Sequence, residues 1–222
     1  MMACILVVAA HPDDEVLGCG GTLVKHTLAG DRVHIVFMAD GETSRPSSTS
    51  EASARERMAH QAGEVLGAQS LHFLGFPDNA MDSLPLLHIT QKLESIIQPL
   101  QPDTIYTHFG GDLNIDHRLT YQAVMTACRP QPESSVKKIY CFEVASSTEW
   151  ASQIDVPFRP QRFVDISAVL AQKKRALDFY SKELRPWPHT RSEEAITLKA
   201  QVRGNQVGMS AAEAFMVERE LC

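Results

Sequence analysis

The stretch Val7-Val8-Ala9-Ala10-His11-Pro12-Asp13-Asp14-Glu15-Val16-Leu17-Gly18-Cys19-Gly20-Gly21 passes from an apolar run to three carboxylates within one turn. Cys4–Ala10 is the short continuous apolar run expected of a parallel strand buried on both faces. Val16–Leu28 carries apolar residues at helical spacing and stops at Gly30. Acids favour helix N-termini, so capping accounts for one or two of the carboxylates. It does not account for a histidine at the same strand end.

Outward from this unit the pattern repeats. Val33–Met38 reads as a strand, Asp40–Ser50 as a polar loop and Ala52–Leu66 as a helix stopped by Gly67. Leu71–Phe76 is a strand, Leu84–Leu100 a helix interrupted by Pro99, and Thr104–His108 a strand. His117–Cys128 is a helix ended near Pro130, and Lys137–Val144 another strand. This alternation predicts an α/β fold, a Rossmann-like doubly wound, mostly parallel sheet with helices on both faces. Beyond it, Trp150–Val164 reads as irregular with one short strand, Ser167–Leu184 as a helix and Arg185–Ser192 as a Pro-broken loop. Glu193–Val202 and Ala211–Arg219 read as helices around a glycine-bearing turn. No repeat, low-complexity segment or linker interrupts the chain, so residues 1–222 are expected to form a single domain.

Composition narrows the function classes. The 222 residues are 44% hydrophobic and 22% charged, ordinary for a soluble globular protein. A net charge of −6 offers no electrostatic footprint for nucleic acid or an anionic membrane. Cys4, Cys19, Cys128, Cys141 and Cys222 form no CxxC pair and are odd in number, which suits a reducing cytoplasm. The run Ala3–Ala10 lacks a basic leader and is too short for a signal peptide, and no stretch approaches ~18 apolar residues. A cytoplasmic protein acting on a small molecule is expected, with a homo-oligomer open.

Pro12 keeps His11 extended at the strand end, and Asp13, Asp14 and Glu15 fall in the first helical turn. Ligands of open α/β sheets bind there, beyond the carboxyl ends of strands. A dinucleotide fingerprint is excluded: Gly18, Gly20 and Gly21 lie a turn inside the helix, and the acids would repel a pyrophosphate. Capping and a metal site remain, and a metal site needs a ligand from elsewhere. Thr107-His108-Phe109-Gly110-Gly111-Asp112-Leu113-Asn114-Ile115-Asp116-His117-Arg118 supplies it. This second His/Asp/Asn-rich loop also follows a strand and precedes a helix. His117 opens that helix, with Asp112, Asn114 and Asp116 placed to orient it or build the cleft. Two histidines and one aspartate with an open position are the composition of a catalytic Zn²⁺ site, though the same set accepts Fe²⁺, Co²⁺ or Mn²⁺.

Ala10–Glu15 followed by Gly20-Gly21, and Asp112–Arg118, resemble the two signature motifs of the PIG-L (LmbE-like) deacetylase family. Leu66-Gly67 and Phe73–Asp78 resemble its connecting segment. Ser146–Trp150, Pro188–Ser192 and Ala212–Phe215 resemble one bacterial branch. The resemblance implies His11, Asp14 and His117 as Zn²⁺ ligands and Asp13 as general base. It implies an arginine of the helix after the second strand as a substrate contact, Arg55 by spacing, with Arg57 the second choice. The implied reaction is hydrolysis of an N-acetyl group from an amino sugar, whether free or nucleotide- or lipid-linked. Asn114 stands where some members carry a histidine that stabilises the transition state, and Met58 where an acid is frequent. Asn114 donates a hydrogen bond but carries no proton.

His189 is then the candidate second acid or oxyanion donor, or else a loop histidine with no chemical role. Arg191 beside it could grip a substrate phosphate or hydroxyl, or simply be solvated. Asp116 and Glu15 are expected to support the ligands from behind, with Glu213 a further candidate. Ser44–Ser48 could form part of a lid or a linker. The competing functions are a zinc amidase for another N-acyl compound, such as a thiol–sugar conjugate, and a sugar-binding protein with an inactive site.

Overall fold

The computed structural model describes residues 2–41, 49–152 and 154–221, without the side chains of 49–53. The expected lid at Ser44–Ser48 lies outside the described residues. The elements run β1 (Cys4–Ala9), α1 (Asp14–Leu28), β2 (Arg32–Ala39), α2 (Thr49–Leu66), β3 (Ser70–Phe76) and α3 (Leu86–Leu100). There follow β4 (Thr104–His108), α4 (Ile115–Ala127), β5 (Lys138–Phe142), β6 (Arg162–Asp165), α5 (Leu170–Asp178), α6 (Glu193–Asn205) and β7 (Ala212–Glu220).

All seven strands form one sheet of order β3-β2-β1-β4-β5-β7-β6. The first five are parallel, and β7 pairs antiparallel with both β5 and β6. The predicted doubly wound, mostly parallel sheet is thus present. Because side chains alternate along β1, Ile5, Val7 and Ala9 join one core while Leu6 and Val8 join the other. The first core is closed by α1, α2, α5 and α6, the second by α3 and α4. The sheet order reverses between β1 and β4, where their connections diverge and open a crevice. The acidic turn after β1 and the His/Asp loop after β4 both end there.

Two expectations fail in the last third. Ala211–Arg219 is not a helix but most of β7. Its alanines, glutamates and methionine favour helix, yet the slot between β5 and β6 supplies ladder partners on both sides, and tertiary pairing overrides propensity. Ser167–Leu184 is not one helix but α5 followed by a 3₁₀ turn at Ser181–Glu183.

The glycines that mimic a fingerprint serve packing instead. A Cβ on Gly18 would lie 2.3 Å from the Phe142 ring, and one on Gly21 2.8 Å from Ile166. Their absence lets α1 sit directly against the sheet, which fixes the height of its first turn above β1.

Candidate metal centre

His11 leaves the end of β1, Asp14 begins α1, and His117 stands in the first turn of α4. One ligand atom from each lies within 4.8 Å of the others, and all three residues are buried. Asp14 Oδ2 is 3.3 Å from both His11 Nδ1 and His117 Nε2. Its Oδ1 is buried with no hydrogen-bond partner, a costly state for a carboxylate oxygen that a cation would relieve. The donor set therefore fits a metal ion.

The far nitrogen of each imidazole meets a carboxylate. His11 Nε2 lies 3.0 Å from Asp116 and 3.1 Å from Asp78. Asp116 is itself fixed by the backbone N–H groups of Asn79 and Met81. His117 Nδ1 lies 3.1 Å from Asp112, whose oxygens accept from the hydroxyls of Ser147 and Thr148. Carboxylate–histidine pairs of this kind orient metal-ligating imidazoles and raise their basicity. Without an ion the charges lean on one another. Burial works against ionising His117, but Asp14 and Asp112 push it up to about 9. Burial would raise Asp14, yet the neighbouring histidines hold it well below the usual carboxylate range.

His108, which the sequence reading placed at the strand end opening the second His/Asp/Asn-rich loop but gave no role, packs beneath His117. Its ring stacks on His117 at 3.9 Å and its Nε2 accepts the Ala10 N–H, so that nitrogen carries no proton. Burial, and next the His117 charge, keep its pKa well below the ordinary value. Its position at the end of β4 mirrors that of His11 at the end of β1, which was the available signal. Asp78 ends the Phe73–Asp78 segment that the resemblance picks out, but nothing in that segment gives its carboxylate a place beside His11.

Asp13 stands apart from the ligands. Its backbone lies at φ 126°, a region L side chains rarely adopt and one that turns its carboxylate away from an ordinary cap. Its N–H donates to Glu15 Oε2, and Arg191 Nη1 donates to its Oδ2 at 2.9 Å. Burial raises the Asp13 pKa, with Arg191 opposing. Glu15 sits behind, accepting from the Tyr180 hydroxyl, and burial pushes it up to about 8.

The remaining expected residues have internal partners. Arg55 is 5% exposed, donating to Glu183 and to the Pro12 carbonyl, with Asp13 3.8 Å away. Asn114 caps α4 by accepting the Asp116 N–H, and its amide donates to Asn79. His189 Nδ1 accepts the Arg191 N–H, leaving Nε2 as its donor, and its ring meets Trp150. Glu213 lies elsewhere: it accepts the Gly21 and Thr22 N–H groups and pairs with Lys173.

These features define a doubly wound α/β protein with a His–Asp–His candidate metal centre at its switch point. The chain belongs to the PIG-L family: the family model described as GlcNAc-PI de-N-acetylase matches residues 6–128. The uncharacterized deacetylase YaiS of Escherichia coli K12 is 32% identical over 167 residues, covering 73% of this chain and 81% of that one. A probable N-acetyl-alpha-D-glucosaminyl L-malate deacetylase 2 of Bacillus cereus is 28% identical over 153 residues, covering 65% and 70%. Among solved structures, GalB, the 4-carboxy-2-hydroxymuconate hydratase of Pseudomonas putida KT2440, superposes with a TM-score of 0.79 at 25% identity. That match covers 100% of this chain and 98% of the other. No described helix is long and apolar enough to cross a membrane.

Proposed function

We propose that residues 1–222 form one metal-dependent N-deacetylase that removes the acetyl group from an N-acetylated amino sugar or sugar conjugate. The observation that carries this reading is the double relay of Asp116–His11 and Asp112–His117 converging on Asp14, with Asp13 beside it and outside the ligand set. His11, Asp14 and His117 would hold the ion, with Zn²⁺ the first choice for two imidazoles and a carboxylate and Fe²⁺ or Co²⁺ as alternatives. When bound, it supplies Lewis acidity toward the amide carbonyl and acidifies water.

Asp13 takes the proton of the attacking water as its oxygen adds to the acetyl carbon. The C–N bond then breaks, acetate departs, and the amine nitrogen must gain a proton. Asp13 can return the one it took, or His189 can donate from Nε2. Arg191 keeps Asp13 available as a carboxylate. Arg55, through Glu183 and the Pro12 carbonyl, fixes the strained turn on which Asp13 stands.

The likeness to GalB admits a second reading, hydration of a carbon–carbon double bond, since both reactions activate water. The sequence relatives favour amide hydrolysis: the two described above are both named as deacetylases. The test is acetate release from free and conjugated N-acetylhexosamines by metal-quantified wild type and Asp13→Asn. Release that is lost in the variant while the metal stays bound supports the reading. Metal-loaded protein that releases no acetate from any N-acetyl sugar overturns it, and addition of water to an unsaturated carboxylate would then establish the alternative.

A further inference from the structure

We infer that Tyr180 is a positioning residue for Asp13: acting through Glu15, its hydroxyl secures the backbone conformation that leaves the Asp13 carboxylate available for proton transfer. The inference rests on the deacetylase reading, in which Asp13 is the base, and deepens it.

Asp13 stands where α1 begins, and its carbonyl accepts the N–H groups of Val16 and Leu17. An aspartate in that place usually folds its side chain back onto the first turn of the helix. Asp13 does not. Its side chain makes no capping hydrogen bond, its φ is 126°, and its carboxylate meets Arg191 instead. Such a backbone is costly for any residue with a Cβ and persists only where the surroundings hold it from several sides.

The planar peptide unit joining Pro12 to Asp13 is held at both edges. Its carbonyl, that of Pro12, accepts from Arg55 Nη2 at 2.9 Å, and its N–H, that of Asp13, donates to Glu15 Oε2 at 2.9 Å. Swinging this plane changes φ at Asp13, so two anchors on opposite edges fix that angle. Glu15 reaches back to the N–H of the residue that opens the helix, much as the acid of a capping box does.

Each anchor is braced from the same short segment. Arg55 donates to Glu183, and Glu15 Oε1 accepts the Tyr180 hydroxyl at 2.7 Å. Tyr180 and Glu183 lie three residues apart across the 3₁₀ turn after α5, a spacing that puts both side chains on one side. The turn that interrupts the expected long helix thus presents one side chain to each anchor.

Tyr180, Glu15 and Asp13 are all buried. The Tyr180 ring packs in the core closed by α1 and α5, where phenylalanine would fill the same space. Only the hydroxyl calls for tyrosine. Removing it takes from Glu15 Oε1 the donor it now has, a costly state for a buried carboxylate oxygen. Any shift of Glu15 toward another donor then draws it away from the Asp13 N–H.

The test is Tyr180→Phe in metal-loaded protein. kcat should fall about tenfold with KM and metal affinity within about twofold, because a small misplacement of the base costs rate and not binding. The Asp13 amide, followed by NMR hydrogen exchange, should exchange about tenfold faster while the β1 amides keep their rates. Glu15→Leu should lower kcat similarly, and adding Tyr180→Phe to it should lower kcat no further. Glu15→Gln should lose less, since its amide oxygen still accepts the Asp13 N–H and its NH₂ donates to the Tyr180 oxygen. An unchanged kcat in Tyr180→Phe, an unchanged Asp13 exchange rate, additive losses in the double variant, or KM or metal affinity moving as far as kcat would each overturn the inference. Amide exchange is independent of the reaction and separates this inference from the deacetylase reading. Faster Asp13 exchange in Tyr180→Phe, with no acetate released by wild type, would uphold the brace and sink only the reaction; acetate release with Asp13 exchange unmoved would do the reverse.

Discussion

Arg191 and Asp13, 178 positions apart in the chain, meet in an ion pair of 2.9 Å beside the three metal-ligating candidates. The pair opposes the burial that raises the Asp13 pKa. Removing the guanidinium favours the protonated acid, so the Asp13 pKa rises further. Arg191→Met should therefore move the acidic limb of the kcat/KM profile to higher pH, with the loss largest at low pH and partly recovered as pH rises. A pH–rate profile on one glycoside checks this. A uniform loss at every pH would mean that Arg191 acts only through substrate binding.

Asp112 and Asp116 lie outside the proposed ligand trio of His11, Asp14 and His117, and each meets the far nitrogen of one of its imidazoles. Asp112→Asn and Asp116→Asn should each weaken metal binding by about 10–100-fold while the fold persists. Competition with a chromophoric chelator measures the change. Affinity should also fall as pH falls below about 9, because Asp14 and Asp112 keep His117 protonated in the metal-free protein and the ion must displace that proton. Proton release on metal addition in weak buffer gives the same information directly.

The centre was readable in the sequence where one residue's chemistry conflicted with its local role. His11 closing an apolar strand ahead of Pro12, and His117 opening a helix behind three Asp or Asn residues, had no structural purpose that capping could supply. Asp116, expected to orient a neighbouring ligand or loop, lies 3.0 Å from His11 Nε2, on the other imidazole from the His117 it adjoins in sequence. Glu183 and Tyr180 were invisible, and Asp78 was met only as the end of a connecting segment, because the partners of all three are brought to them by the fold. β7 was missed for a related reason. Nothing local to Ala212–Glu220 reveals that β5 and β6 leave a strand's width between them.

Gly18 is expected to be intolerant of the smallest side chain. A methyl there would sit 2.3 Å from the Phe142 ring, and that ring packs edge-on against His108 at 4.7 Å. His108 in turn stacks on His117. Gly18→Ala should therefore destabilise the protein by about 1–3 kcal/mol through overpacking and also loosen the metal. Urea denaturation with and without metal separates the two effects. A variant as stable as wild type would show that Phe142 can move aside at no cost.

Lys173 and Glu213 form a buried pair beside α1 that makes no contact with the candidate ligands but supports the helix beginning with Asp14. The Lys173 ammonium donates to the Leu17 carbonyl and to Glu213 Oε1, while the Glu213 oxygens accept the Gly21 and Thr22 N–H groups. Lys173→Met leaves the Glu213 charge buried with backbone donors alone, which should cost about 3–5 kcal/mol. Glu213→Gln should be costly too, because an amide presents an NH₂ where one of the two carboxylate oxygens now accepts an N–H. The double variant should fall short of the sum of the single losses, since each single change strands the other partner. Denaturant titration of the four proteins measures that coupling. Strict additivity would mean that the two side chains stabilise α1 independently, each through its own backbone contact.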